Sequence, residues 1–156
     1  MWQNVDVLRE NARPCPTASA LEILGEKWSL LVVRELALGV RRFDAIARNT
    51  GAPRDILTAR LRRLEAENVL EKRLYQEHPA RYEYHLTPAG KALRPLLLML
   101  ALWGQEWTDD APVVAVTHSC GAPLELVPTC RACGEEVRAS RDVSLQYVGD
   151  WEASRA

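Results

Sequence analysis

Near residue 69 the apolar pattern of the chain changes period, and that change limits the folds open to it. Up to Asn68 the apolar residues recur at helical spacing: Phe43, Ile46 and Ala47 in "RFDAIARNTGA", then Leu57, Leu61 and Leu64 in "PRDILTARLRRLEAEN". From Val69, "VLEKRLYQEHPARYEYHLT" alternates instead. Leu70, Lys72 and Leu74 stand against Glu71, Arg73 and Tyr75, and Tyr82, Tyr84 and Leu86 against Arg81, Glu83 and His85, with "HPA" as the turn. Gly51 is placed to stop the first helix, and Pro53 suits the first turn of the second. Two closely linked helices followed by a β-hairpin predict an α+β fold, mainly helical: a helix-turn-helix with a wing.

The flanks extend this unit. Leu21, Leu24, Trp28, Leu31 and Leu36 in "TASALEILGEKWSLLVVRELAL" follow helical spacing, with Gly25 as a break or close contact between two segments and Gly39 as the end. Thr87 caps a long helix running to Trp107, with Pro88 in its first turn and Pro95 as a kink or a new start. Leu93, Leu96, Leu97, Leu100, Trp103 and Trp107 line one side of it, with Leu98, Met99 and Leu102 beside them. That stripe is wider than a single surface helix needs, so a second subunit is expected to cover it, making a homodimer. After "TDDAP" the chain becomes β-branched, turn-rich and cysteine-bearing. The expected organisation is an arm (1–13), a winged-helix and dimerisation domain (14–107), a linker at about 108–112 and a small β module (113–148), with no internal repeat. The opening "WQNVDVLRENARP" is mixed and polar, and the longest apolar run, "LLLMLALW", is far short of the roughly 20 residues that span a bilayer. A cytoplasmic protein without a membrane partner is expected.

The formal net charge is −1, so any electrostatic footprint must be local. From Arg41 to Arg81 ten basic residues face six acidic ones, leaving +4. At 100° per residue, Leu57, Leu61 and Leu64 fall within about 60° and define a buried face. Asp55, Thr58, Ala59, Arg62 and Arg63 point away from it, and Arg54 stands at the exposed N-terminus. Guanidiniums, a hydroxyl and a small residue suit phosphates and base edges. A solvated amphipathic helix would account for the arginines alone. The preceding tight turn and the following hairpin, with Arg81 near its tip, favour double-stranded DNA.

Several motifs strengthen this reading: Cys15-Pro16, Leu24-Gly25-Glu26-Lys27-Trp28, Phe43, Leu57-Thr58-x-Arg60-Leu61-Arg62-x-Leu64-Glu65, Pro79-x-Arg81-Tyr82-x-Tyr84 and Leu86-Thr87-Pro88-x-Gly90. In order and register, over about 14–107, they resemble the HxlR family of bacterial winged-helix regulators, relatives of the MarR type. Glu26 departs from the pattern, where members often carry a second glycine. The resemblance implies a dimer with the Leu57–Glu67 helix in the major groove and the Arg81 hairpin on the flanking backbone or minor groove. It also implies that Cys15 is a candidate sensor of oxidants or electrophiles, a role its place before a helix N-terminus suits. The plainer reading of Cys15 is a small residue packed at the dimer contact.

Cys120, Cys130 and Cys133 lie in the last quarter of the chain. "CRACG" has the form of a zinc knuckle, and His118 and Cys120, two apart, share one face of a strand. A zinc ribbon held by His118, Cys120, Cys130 and Cys133 is one reading, a metal-free module another. A catalytic Cys130–Cys133 dithiol lacks the surrounding βαβ pattern. With no nucleophile motif and no phosphate-binding glycine loop, the chain is not expected to be an enzyme. The expected function is a dimeric, sequence-specific DNA-binding transcriptional regulator, a repressor released by thiol modification or a small effector. The alternative is a protein-interaction module on a winged-helix scaffold, with the ribbon as its partner surface.

Overall fold

The computed structural model describes residues 15–108 and 114–144. The expected arm (1–13), nearly all of the linker and the expected end of the β module (145–148) lie outside the described residues. The chain divides into two compact units, Pro16–Ala111 and a second made of Met1–Cys15 with Pro112–Ala156.

The first unit runs α1 (Pro16–Leu24), α2 (Ser29–Ala37), α3 (Phe43–Thr50), α4 (Arg54–Ala66), β1 (Leu70–Gln76), β2 (Arg81–Leu86), α5 (Pro88–Lys91) and α6 (Arg94–Trp107). Its core gathers Val32, Val33 and Leu36 of α2, Ile46 of α3, Leu57, Leu61 and Leu64 of α4, and Leu70 and Leu86 of the strands. Each side chain of that size contributes about 1.5–3 kcal/mol when fully buried. The helical period of α4 thus has its cause: its three leucines are buried in this core, while Ala59, Arg62 and Arg63 between them are exposed and Thr58 and Arg60 half-buried.

The turn between α3 and α4 is held from within. Gly51 takes a left-handed φ of +69° and its N–H donates to Ala47 C=O at 2.9 Å. Thr50 Oγ1 donates to Ile46 C=O at 2.7 Å and accepts from Ala52 N–H at 3.3 Å. The buried Glu35 carboxylate ties α2 to α3, accepting from Arg34 at 2.7 Å and from the Asn49 amide at 2.7 Å.

The hairpin is antiparallel, pairing Leu70 with Leu86, Lys72 with Tyr84 and Leu74 with Tyr82, with an irregularity between Leu74 and Gln76. Only its base is buried, at Leu70 and Leu86, whereas Leu74, Tyr75 and Tyr82 are exposed. The alternation therefore marks a wing that projects from the core, not a sheet with one covered face. Tyr84 N–H also donates to Arg41 C=O at 2.9 Å, fastening the loop before α3 to β2.

The expected long helix from Thr87 to Trp107 is two helices. Pro95 has no N–H to give to the carbonyl four residues back, so the helix restarts at Arg94 with proline in its first turn. Thr87 does cap, accepting Gly90 N–H at 3.2 Å while donating to Asn68 C=O at 2.6 Å. On α6, Leu93 just before it and Leu97 pack on the core, while Leu96, Leu98, Met99, Leu100, Trp103 and Trp107 stay exposed.

In the second unit, the described residues 114–144 hold two bridged turns, Thr117 with Pro123 and Thr129 with Glu136, and a short 3-10 turn, Ser140–Asp142. The expected β character is limited to these isolated bridges. None of these described residues is buried.

Candidate nucleic-acid interface

The outward face of α4 separates into free and engaged groups. Arg62 makes no ion pair among the described residues, and its charge opposes the rise that burial and Glu65 impose on the Tyr84 phenol, so it lies near the base of the wing. Asp55 is exposed in the first turn of the helix. Thr58 Oγ1 donates to Arg54 C=O at 2.7 Å, which leaves the oxygen able to accept. Arg63 pairs with Glu67 at 3.1 Å, one turn on. Arg54 bonds Asp44 at 2.8 Å and stacks over the Phe43 ring at 4.9 Å. Both of these pairs are solvent-exposed, and such pairs hold by about 1 kcal/mol or less, so a phosphate can displace the carboxylate. Arg60, equally prominent in the sequence, pairs instead with Glu26 at 3.2 Å on the loop before α2.

Sequence reasoning missed a cleft of about 610 Å³ between α3 and the wing. Arg42, Arg48, Arg81 and a single carboxylate, Asp44, line it, with Phe43, Tyr75 and Tyr82. Two stacking pairs stiffen its walls: Arg42 lies 4.9 Å from the Tyr75 ring centre and Lys72 3.9 Å from that of Tyr82. Arg81, expected at the tip of the hairpin, opens β2 opposite Gln76 and faces this space. Arg54, over Phe43, joins the cleft to the N-terminus of α4. The signal in the sequence was the Arg41-Arg42 pair before Phe43, but only the fold brings it to Tyr75, more than thirty residues on.

Cys15 is exposed and immediately precedes α1. Cys130 lies in the second bridged turn, where backbone N–H groups of Cys133 and Ala132 hold its thiol below the usual range, with the Cys133 side chain adding to the effect. His118 Nδ1 accepts Cys120 N–H at 3.3 Å in the first turn. Among the described residues, no three His, Cys, Asp or Glu side chains are gathered to hold one metal ion. No helix among them is long and apolar enough to cross a membrane.

A helix-turn-helix whose second helix turns arginines outward, followed by a hairpin wing that carries Arg81, defines a winged helix-turn-helix regulator. Residues 23–112 match the profile described as HxlR-like helix-turn-helix, and the chain belongs to that family of transcriptional regulators. It is 41% identical over 123 residues to the HTH-type transcriptional regulator Rv3095 of Mycobacterium tuberculosis, itself uncharacterized, covering 77% of this chain and 78% of that protein. It is 36% identical over 111 residues to the likewise uncharacterized regulator sll1512 of Synechocystis, covering 69% and 80%. Among solved structures, PA1607, a candidate transcription factor, superposes with a TM-score of 0.73 at 30% identity, over 90% of this chain and 98% of that one. The reduced form of the redox regulator HypR superposes with a TM-score of 0.54 at 30% identity, over 61% and 95%.

Proposed function

We propose that this regulator is a homodimer that binds a specific duplex sequence and represses by occupying a promoter. α4 enters the major groove, with Thr58 and Arg62 over base edges and Arg54 and Arg63 on phosphates. Asp55, in the first turn of α4, accepts from a cytosine amino group. Arg42, Arg48 and Arg81 take the flanking backbone. The observation that carries this reading is the cleft, where three arginines from α3, the loop before it and the wing face one space beside the N-terminus of α4.

The exposed apolar stripe of α6 supports the dimer. Cys15, exposed before α1, is the proposed point of control: modification of its thiol, or a small effector, releases the DNA. Selection of bound sites from random duplexes tests the proposal. A defined inverted repeat is expected, bound more weakly as salt rises, and less tightly after oxidation of wild type but not of Cys15→Ser. Equal binding to all duplexes, or none, would overturn sequence-specific recognition.

A further inference from the structure

The C-terminal unit repeats itself. In "THSCGAP" and "TCRACGEE" a threonine, a first donor residue, one or two spacers, a cysteine and a glycine follow in order. The backbones of the two turns agree bond for bond. His118 N–H donates to Ala122 C=O and Gly121 N–H to His118 C=O, both at 2.9 Å. Cys130 N–H donates to Glu135 C=O and Gly134 N–H to Cys130 C=O, both at 2.8 Å. Outside each turn one further bond keeps the same register, Leu124 N–H to Val116 C=O at 2.9 Å and Val137 N–H to Pro128 C=O at 2.8 Å. Gly121 and Gly134 both take left-handed backbone, at φ +91° and +79°. In the first turn the donor atom is already turned toward its own loop, His118 Nδ1 accepting the N–H of Cys120 at 3.3 Å.

A second observation is independent of the first. With no buried residue among 114–144, apolar packing does not hold these turns, and segments this small then need a cross-link. Cys120, Cys130 and Cys133 are free thiols, so no disulfide supplies it. Two nitrogen-or-sulfur donors on each of two matched turns are the ligand chemistry of zinc, not of calcium or magnesium.

We propose that the two turns are halves of one tetrahedral zinc site, with His118 and Cys120 from the first and Cys130 and Cys133 from the second. The four donors are not gathered in the structure, so the ion itself draws the turns together and its binding is part of the folding of this unit. Three thiols release protons to solvent as three Zn–S bonds form. His118 Nδ1 exchanges the hydrogen bond from Cys120 for the fourth bond, and no electrons move. The test of this site does not depend on the proposed DNA reading.

The full chain, purified reduced and without chelator, is analysed for metal and by native mass spectrometry. About one zinc per chain is expected, as one four-ligand site requires. Cys15→Ser keeps the metal, while His118→Ala and Cys133→Ser lose it. Cobalt added to metal-free wild type is expected to give the thiolate charge-transfer and tetrahedral bands of a three-sulfur site, and to raise exchange protection at the Leu124 and Val137 amides. Reduced wild type that takes up neither zinc nor cobalt overturns the proposal. So does zinc held undiminished by a Cys130→Ser, Cys133→Ser double variant.

Discussion

Arg62 and Arg81 are both arginines on the cationic face, yet they ask different things of a duplex. Arg62 projects outward from α4, the proposed reading helix, and makes no ion pair among the described residues. Arg62→Ala is expected to change sequence preference, at about 1–3 kcal/mol for the lost base contact. Competition between the selected site and its single-base variants measures this, and unchanged affinity and preference would mean that another face of α4 reads the DNA. Arg81 faces the cleft beside the wing, where a phosphate would lie. Arg81→Ala is expected to weaken binding to all duplexes alike and to lower the slope of log affinity against log salt by about one per subunit. The sequence disclosed the direction of Arg62 and its neighbours along α4, because Leu57, Leu61 and Leu64 fix the buried side. It did not disclose the engagement of Arg54 by Asp44 or of Arg60 by Glu26, since those partners meet only across the α3–α4 turn and the loop before α2.

At the scale of elements, the join between α5 and the base of the wing leaves no room for a side chain. Gly90 is buried in α5, and a Cβ there would lie 2.1 Å from Val69 C=O and 2.9 Å from a Leu86 methyl. Backbone on one side leaves nothing free to yield. Gly90→Ala is expected to cost about 1–3 kcal/mol, as overpacking does, read as a lower urea midpoint at unchanged slope. The helices and hairpin were legible because period and stop signals agree, as at Gly51 and Thr87. The break before α6 was half legible: Pro95 announced a disturbance, but whether it kinks or restarts a helix depends on how Leu93 and Leu97 seat on the core. The twin turns of the second unit escaped notice as a repeat because one spacer residue separates His118 from Cys120 and two separate Cys130 from Cys133. Their sequences share only a threonine, a donor, a cysteine and a glycine, and the fuller likeness lies in hydrogen bonds, which residue spacing does not display.

On the scale of the whole molecule, the question is what covers α6. Leu96, Leu100, Trp103 and Trp107 recur at four, three and four residues, so they form one stripe, and each is between 47% and 66% exposed. The adjoining side, with Leu97, is already committed to the core. Two large indoles and two leucines left in water on a rigid helix are stable chiefly when a like stripe meets them, and a two-fold axis supplies that partner without a second gene product. Such a dimer sets two α4 helices facing the same side of a duplex, with half-sites one helical turn of about 34–36 Å apart, or a multiple of it. Leu100→Glu tests the coupling, because it places a charge in the stripe while leaving α4 and the wing untouched. Wild type is expected to scatter light as a dimer at micromolar concentration, and Leu100→Glu as a monomer with its thermal unfolding little changed. Its affinity for the inverted repeat should fall on the order of 10²-fold, the avidity that linking two half-site contacts provides, while binding to an isolated half-site stays as before. A wild-type monomer at that concentration would remove the two-fold axis, and with it the expectation of an inverted repeat.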